Sequence, residues 1–202
     1  MIERLEAILG GDQPIFFLLA GPNGAGKSTF RRKFLDPLGL TCVDPDEVAR
    51  EMFGRDPQTL EEAKRATLAS TARVRRTFED QESIGLETVF SDSNGFKLRL
   101  LHEAQAHGYR AGVIFVGLND PQLSVARVMD RVELGGHDVP DELIYRRFPM
   151  CFRNLKTALP IADFVLLVDN SQEARHRIFG AATLGNVELW DSPPHWYTSF
   201  VA

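Results

Sequence analysis

The chain has 202 residues, of which 44% are hydrophobic and 25% charged, with a formal net charge of −5. No apolar stretch approaches the roughly 18 residues of a membrane span, and the acidic balance argues against a nucleic-acid groove. The two cysteines, Cys42 and Cys151, give neither a disulfide framework nor metal-ligand spacing. The length suits one α/β domain with a buried core, so residues 1–202 are expected to form a single unit. The opening MIERLEAILGGDQ lacks the basic start, long apolar region and small-residue cleavage site of a secretory signal, and a cytoplasmic location is expected.

Residues 15–19 are apolar without polar alternation, as in a parallel strand buried on both faces. They lead into Gly21-Pro22-Asn23-Gly24-Ala25-Gly26-Lys27-Ser28, followed by Thr29, a complete GxxxxGK[ST] loop between a strand and a predicted helix. Gly21, Gly24 and Gly26 let backbone N–H groups converge on phosphate oxygens, and the helix dipole adds to that field. Lys27 is expected to reach the terminal phosphates, and Ser28 to place its hydroxyl on Mg²⁺. The plainer alternative, a chance Gly-rich turn, does not account for eight fixed positions in this context.

Thr41-Cys42-Val43 reads as a second strand ending in Asp44-Pro45-Asp46, with a helix starting near Asp46. Thr59-Leu60-Glu61-Glu62 is a capping-box signature, after which Leu60, Ala63, Thr67, Val74 and Phe78 recur at helical spacing to near Glu79. A third strand, 84–90, carries Glu87 and Thr88 in an apolar setting, where a carboxylate is costly without a partner or a task. Residues 95–107 form a helix stopped by Gly108, and 111–117 a fourth buried strand.

Asn119 or Asp120 caps the next helix, with Pro121 at its first position. There Val125, Val128, Met129 and Val132 share one face, which leaves Arg127 and Arg131 stacked opposite. Gly135-Gly136 ends it, and His137-Asp138-Val139-Pro140 leads into a helix with Ile144, Arg146 and Arg147, kinked at Pro149. Residues 164–168 are the last strand before Asp169-Asn170. The tail from Gly185 reads as a short edge strand and packed coil. The alternation implies an α/β fold of the P-loop NTPase kind, a parallel five-stranded sheet flanked by helices. Ligands in such sheets bind beyond the carboxyl ends of the strands, where the loop, Asp44, Asp46 and Glu87 all fall.

Phosphoryl transfer asks for positioning and charge neutralisation, hence a loop, Mg²⁺, a base and arginines. Asp46, 19 residues after Lys27, is placed to face the γ-phosphate and take a proton from an acceptor hydroxyl; its plainer role is a helix cap. Asp44 is the alternative base, or a ligand of Mg²⁺ through water. Glu87 fits the metal shell, through water, or the acceptor, or else a buried ion pair. Arg127, Arg131, Arg146 and Arg147 flank a Gly-rich segment with the composition of a lid over residues 127–147, although arginines opposite an apolar stripe are more often solvated. His137 is a lid contact or a loop histidine.

Taken in order, GPNGAGKST, VDPDEV, GLETVFSD, ARVMDRVELGGHDVP with ELIYRRF, and ADFVLLVDNS resemble the short zeta-toxin-like branch of the P-loop kinases over roughly residues 14–171. The resemblance implies a nucleotide-kinase-like fold with a helical lid. It also implies an ATP- and Mg²⁺-dependent kinase of the 3′-hydroxyl of the amino sugar in UDP-N-acetylglucosamine, and a small antitoxin as partner. Residue by residue it places Lys27 and Ser28 in the loop, Asp46 as base, Glu87 as strand-end acid, and Arg131 and Arg147 as phosphate clamps. Thr88 and Arg127 fall on the substrate side. Where longer members read Glu-Gly-Thr, this chain reads Glu87-Thr88-Val89. Two other readings stand beside it: a kinase of another small hydroxyl metabolite, and an ATPase module of the transporter type. The last expects a strand ending in Asp-Glu where this chain has Asp169-Asn170.

Overall fold

The computed structural model describes residues 2–136, 138–172 and 175–202; the predicted lid contact His137 lies outside them. Among the described residues all strands join one sheet in the order β2-β3-β1-β4-β5-β6-β7. Its first five members are β1 (Ile15–Ala20), β2 (Cys42–Val43), β3 (Ile84–Thr88), β4 (Arg110–Gly117) and β5 (Phe164–Asp169), all paired in parallel. Every residue of β1 is buried, as its unbroken apolar run requires of a strand covered on both faces.

The sheet has seven strands, not the expected five. After β5 the chain turns back into β6 (Arg177–Thr183) and β7 (Asn186–Leu189), both antiparallel. Their hairpin turn uses Leu184 and Gly185 at φ 46° and 84°, the double positive φ of the two-residue turn that matches strand twist. A leucine in that position hides the signal from the sequence. The tail is also more ordered than a coil: α8 (His195–Phe200) places Trp196, fully buried, against Phe115, Phe152 and Phe179. The Trp196 indole N–H donates to Asp169 Oδ1 at 3.0 Å, and a Cβ on Gly117 would stand 2.3 Å from its ring.

The helices include α1 (Ile2–Leu9), α2 (Lys27–Phe30), α3 (Pro45–Phe53), α4 (Leu60–Asp80), α5 (Phe96–Ala106), α6 (Pro121–Glu133) and α7 (Asp141–Ala158). The segment after the loop continues past α2 as a π-helical turn, Arg31–Leu35, and a 3₁₀ turn, Asp36–Leu38. Pro37 has no N–H for an α ladder, and Gly39 at φ 72° closes the segment. The capping box forms at Thr59, whose hydroxyl accepts from Glu62 N at 3.1 Å. Leu60 and Thr67 are not core residues, however. The buried stripe of α4 is Ala66, Ser70, Thr71, Val74 and Phe78, and Leu60 lies 69% exposed at a cleft.

Register sets the heights of the functional residues. Glu87 pairs with Leu19 and Thr88 with Ala20, one residue below the start of the loop at Gly21. Val43 pairs with Leu86, which brings Asp44 level with Glu87. Gly117 pairs with Asp169, so Asn170 emerges at the same end of the sheet.

Candidate active site

The loop 21–28 is held from outside by side chains of later elements. Gly21, Gly24 and Gly26 have φ of 145°, 66° and 84°, and a Cβ at each would stand 2.1 Å from Val116 O, 2.7 Å from Ser124 O and 2.6 Å from Asn170 Nδ2. Only glycine fits these close approaches. The Ser124 hydroxyl donates to Asn23 O, and Asn170 Nδ2 donates to Ala25 O at 2.9 Å. His176 Nε2 donates to Gly26 O at 3.1 Å. Burial lowers the His176 pKa, which favours the neutral ring for this contact. At the start of the helical segment, the N–H groups of Lys27 and Ser28 have no intrahelical acceptor and are free for anionic oxygens.

Lys27 is 8% exposed, and its ammonium donates to Gly21 O at 3.2 Å and Pro22 O at 3.0 Å. Burial lowers its pKa, against the pull of Glu87, Cys151, Asp44 and Asp46. Ser28 Oγ donates to Glu87 Oε1 at 2.7 Å. A hydroxyl that gives its proton keeps its lone pairs for a cation. Glu87 is 7% exposed, its Oε2 has no hydrogen-bond partner, and burial raises its pKa despite Lys27. An orphaned carboxylate oxygen beside a loop lysine and serine fits a site completed by a phosphate-bound cation. Among the described residues no three His, Cys, Asp or Glu side chains converge as metal ligands.

The two strand-end aspartates divide their tasks. Asp44, not Asp46, is the N-cap of α3: its Oδ1 accepts from Asp46 N at 2.9 Å, and burial raises its pKa. Pro45 occupies the first helical position. The Asp46 carboxylate lies in the first turn and lines the cleft. Beneath them, Arg31 is buried, pairs with Glu47 and donates to Cys42 O at 3.4 Å. This ties the helical segment after the loop to the β2–α3 corner.

Lys27, Ser28, Thr29, Asp46, Glu87, Thr88, Arg127, Arg131, Arg146 and Arg147 line one cleft of about 1940 Å³, together with Asn23, Gly24, Gly26 and Asp44. Gly21, Pro22 and Ala25, though part of the loop, are not among the residues that line the cleft. The arginines therefore share a cleft with the phosphate loop, Arg127 beside it, where a Cβ on Gly24 would stand 3.2 Å from Arg127 Cβ, although the expected apolar stripe of α6 is only partly present. Val128 is buried with Val139 and Ile144, whereas Met129 and Val132 are exposed. Arg147 is half-buried in α7, and burial lowers its pKa. Thr88 Oγ1 already accepts from Phe90 N at 3.3 Å.

Sequence reasoning missed Ser124, His176, Asp92 and Lys97 at this site. Asn170 was within reach, since it follows a parallel strand as Asp44 does. The others depend on tertiary packing.

The family model described as Zeta toxin matches residues 3–176. An uncharacterized protein of Haemophilus influenzae is 24% identical over 138 residues, 68% of this chain and 93% of that protein. The AvrRxo1-ORF1:-ORF2 structure with ATP is similar at a TM-score of 0.70 and 16% identity, covering 100% of this chain and 67% of that one. The PezAT toxin-antitoxin structure from Streptococcus pneumoniae gives a TM-score of 0.59 at 16% identity, over 87% of this chain and 75% of that one. These likenesses place the fold among the P-loop kinases.

Proposed function

The chain belongs to the zeta toxin family of nucleotide-binding phosphotransferases, and we propose that it moves the γ-phosphoryl group of ATP, with Mg²⁺, to the 3′-hydroxyl of the amino sugar in UDP-N-acetylglucosamine. The observation that carries the reading is the convergence of Lys27, Ser28, Glu87 and Asp46 with the lid arginines on one cleft. Asp46 takes the proton of the acceptor hydroxyl as the new O–P bond forms and the bond to the β-phosphate oxygen breaks. Lys27 leaves its two loop carbonyls for the phosphate oxygens, and Arg131 and Arg147 neutralise charge on the group in transit. Ser28 and the phosphate oxygens would hold Mg²⁺, with Glu87 and Asp44 reached through water; the ion supplies further charge neutralisation there. The paired chains of the PezAT and AvrRxo1 structures support a small antitoxin as partner.

Arg131→Ala and Arg147→Ala are each expected to lower kcat by roughly 10²-fold with nucleotide affinity little changed, as lost transition-state charge stabilisation does. Changes within about twofold at both, in steady-state assays, would return them to solvated roles.

The acceptor is tested by offering UDP-N-acetylglucosamine, UDP-glucose and free N-acetylglucosamine with ATP and Mg²⁺ and weighing the products by mass spectrometry. A phosphate gain on the first alone is expected. No gain on any of the three would favour another hydroxyl metabolite, a reading that the engaged Thr88 oxygen and the apolar Val89 already support. The transporter-type ATPase reading fares worse. Asp169, at the end of β5, accepts from Trp196 and from the Ser171 hydroxyl at 2.6 Å, and so ties α8 and the turn after β5 to the sheet.

A further inference from the structure

The proposed base stands on the least anchored part of the parallel sheet. Asp46 follows β2, an edge strand of two residues whose register with β3 consists of Cys42 with Gly85 and Val43 with Leu86. The phosphate loop instead follows β1, which lies between β3 and β4 and pairs along its length. Phosphoryl transfer fixes the distance between these two parts closely, because a misplacement of about 1 Å can cost on the order of 10²-fold in rate. A tie outside the sheet would keep them in step.

Arg31 makes that tie. Its backbone N–H donates to Lys27 O and Ser28 O, which joins it directly to the two residues proposed to meet phosphate and cation. At Arg31 the chain leaves α2 for the π-helical turn Arg31–Leu35, a rewinding found frequently at functional sites. The side chain is buried, and its guanidinium crosses to the β2–α3 corner. It donates there to both carboxylate oxygens of Glu47, to Oε2 at 3.3 Å, and to Cys42 O at 3.4 Å. Glu47 is the residue after Asp46, in the first turn of α3. A planar fork on both oxygens of one carboxylate fixes direction as well as distance. The pairs Arg50 with Asp56 and Glu51 with Arg73, also on α3, are more exposed, and such pairs hold little.

We propose that Arg31 is a positioning residue for the transfer: through Glu47 it sets the Asp46 carboxylate at its working distance from the phosphates on the loop, and so acts on kcat rather than on nucleotide binding. This rests on the reading of Asp46 as base but not on the identity of the acceptor. Turnover is therefore measured twice, once with UDP-N-acetylglucosamine and once as the slow hydrolysis of ATP, in which water gives its proton to Asp46 in place of the acceptor hydroxyl. Arg31→Gln is expected to lower kcat roughly tenfold to a hundredfold, with the KM of ATP within about threefold of the parent. Arg31→Lys, which keeps the charge but not the fork, is expected to recover part of the loss. Glu47→Gln should lower kcat in the same way. The double variant Arg31→Gln, Glu47→Gln should lose no more than the worse of the two single ones, as residues that act as one unit do.

A kcat within about twofold of the parent in Arg31→Gln overturns the proposal, as does a loss confined to the KM of ATP or a double variant whose losses multiply. A lower melting temperature with unchanged kcat makes the pair structural and overturns it too. Should Arg31→Gln not fold, Glu47→Gln decides by the same limits, since the Glu47 side chain is 45% exposed. If Arg31→Gln matches the parent while Asp46→Asn is inactive, the proposal falls and the phosphotransferase reading stands. If the Arg31 effect appears on hydrolysis while the sugar gains no phosphate, the proposal stands and only the acceptor's identity falls. A parent that turns over neither substrate removes both.

Discussion

Lys27→Ala is expected to lower kcat/KM for acceptor phosphorylation by on the order of 10³-fold or more, with the fold intact. The side chain is buried, and its ammonium rests on two loop carbonyls, Gly21 O and Pro22 O. Those are neutral partners that phosphate oxygens outcompete. Removing it takes away a preorganised positive charge where negative charge collects. The loop is also pinned by Ser124, Asn170 and His176, so circular dichroism and the melting temperature should stay close to those of the parent. A folded variant with near-normal turnover would remove the loop from the reaction.

Asp46→Asn is expected to cost roughly 10²- to 10⁴-fold in kcat, the range of a lost general base, while nucleotide affinity stays within about twofold. The amide keeps the shape of the carboxylate and cannot take a proton. Asp44→Asn is the informative partner, because an asparagine oxygen can still accept from Asp46 N and preserve the cap on α3. Its loss in kcat should be much the smaller of the two. The reverse order, with Asp44→Asn inactive and Asp46→Asn active, would move the base by two residues along the chain.

What the sequence shows of this protein follows from how local each feature is. The loop 21–28 is contiguous, and β1, β4 and β5 are largely apolar runs, so both the parallel core of the sheet and the position of the loop could be read directly. Asp44 and Asp46 could not be told apart, because both lie within one turn of a helix start. The Asp44 cap needed the backbone. β6 escaped notice because Gly180, Ala181 and Ala182 lack the branched side chains of a recognisable strand. Gly180 is there because a Cβ would meet Glu188 O at 2.7 Å and Leu189 Cδ2 at 2.9 Å, a constraint set by β7. Lys97 sits between Phe96 and Leu98 in an ordinary helical pattern, and its burial comes from tertiary packing. The arginines between residues 127 and 147 were visible as a composition, whereas their place on the same cleft as Lys27 required the helix pair α6 and α7 to be placed.

The fate of the γ-phosphate decides the central claim. Labelled at the γ position, ATP would be incubated with the protein and Mg²⁺, with and without UDP-N-acetylglucosamine, and with Asp46→Asn in parallel. The account predicts that the label moves into one new sugar phosphate ester only when acceptor and intact Asp46 are both present. Label released solely as inorganic phosphate, at the same rate with and without acceptor, would contradict it and make the protein an ATPase.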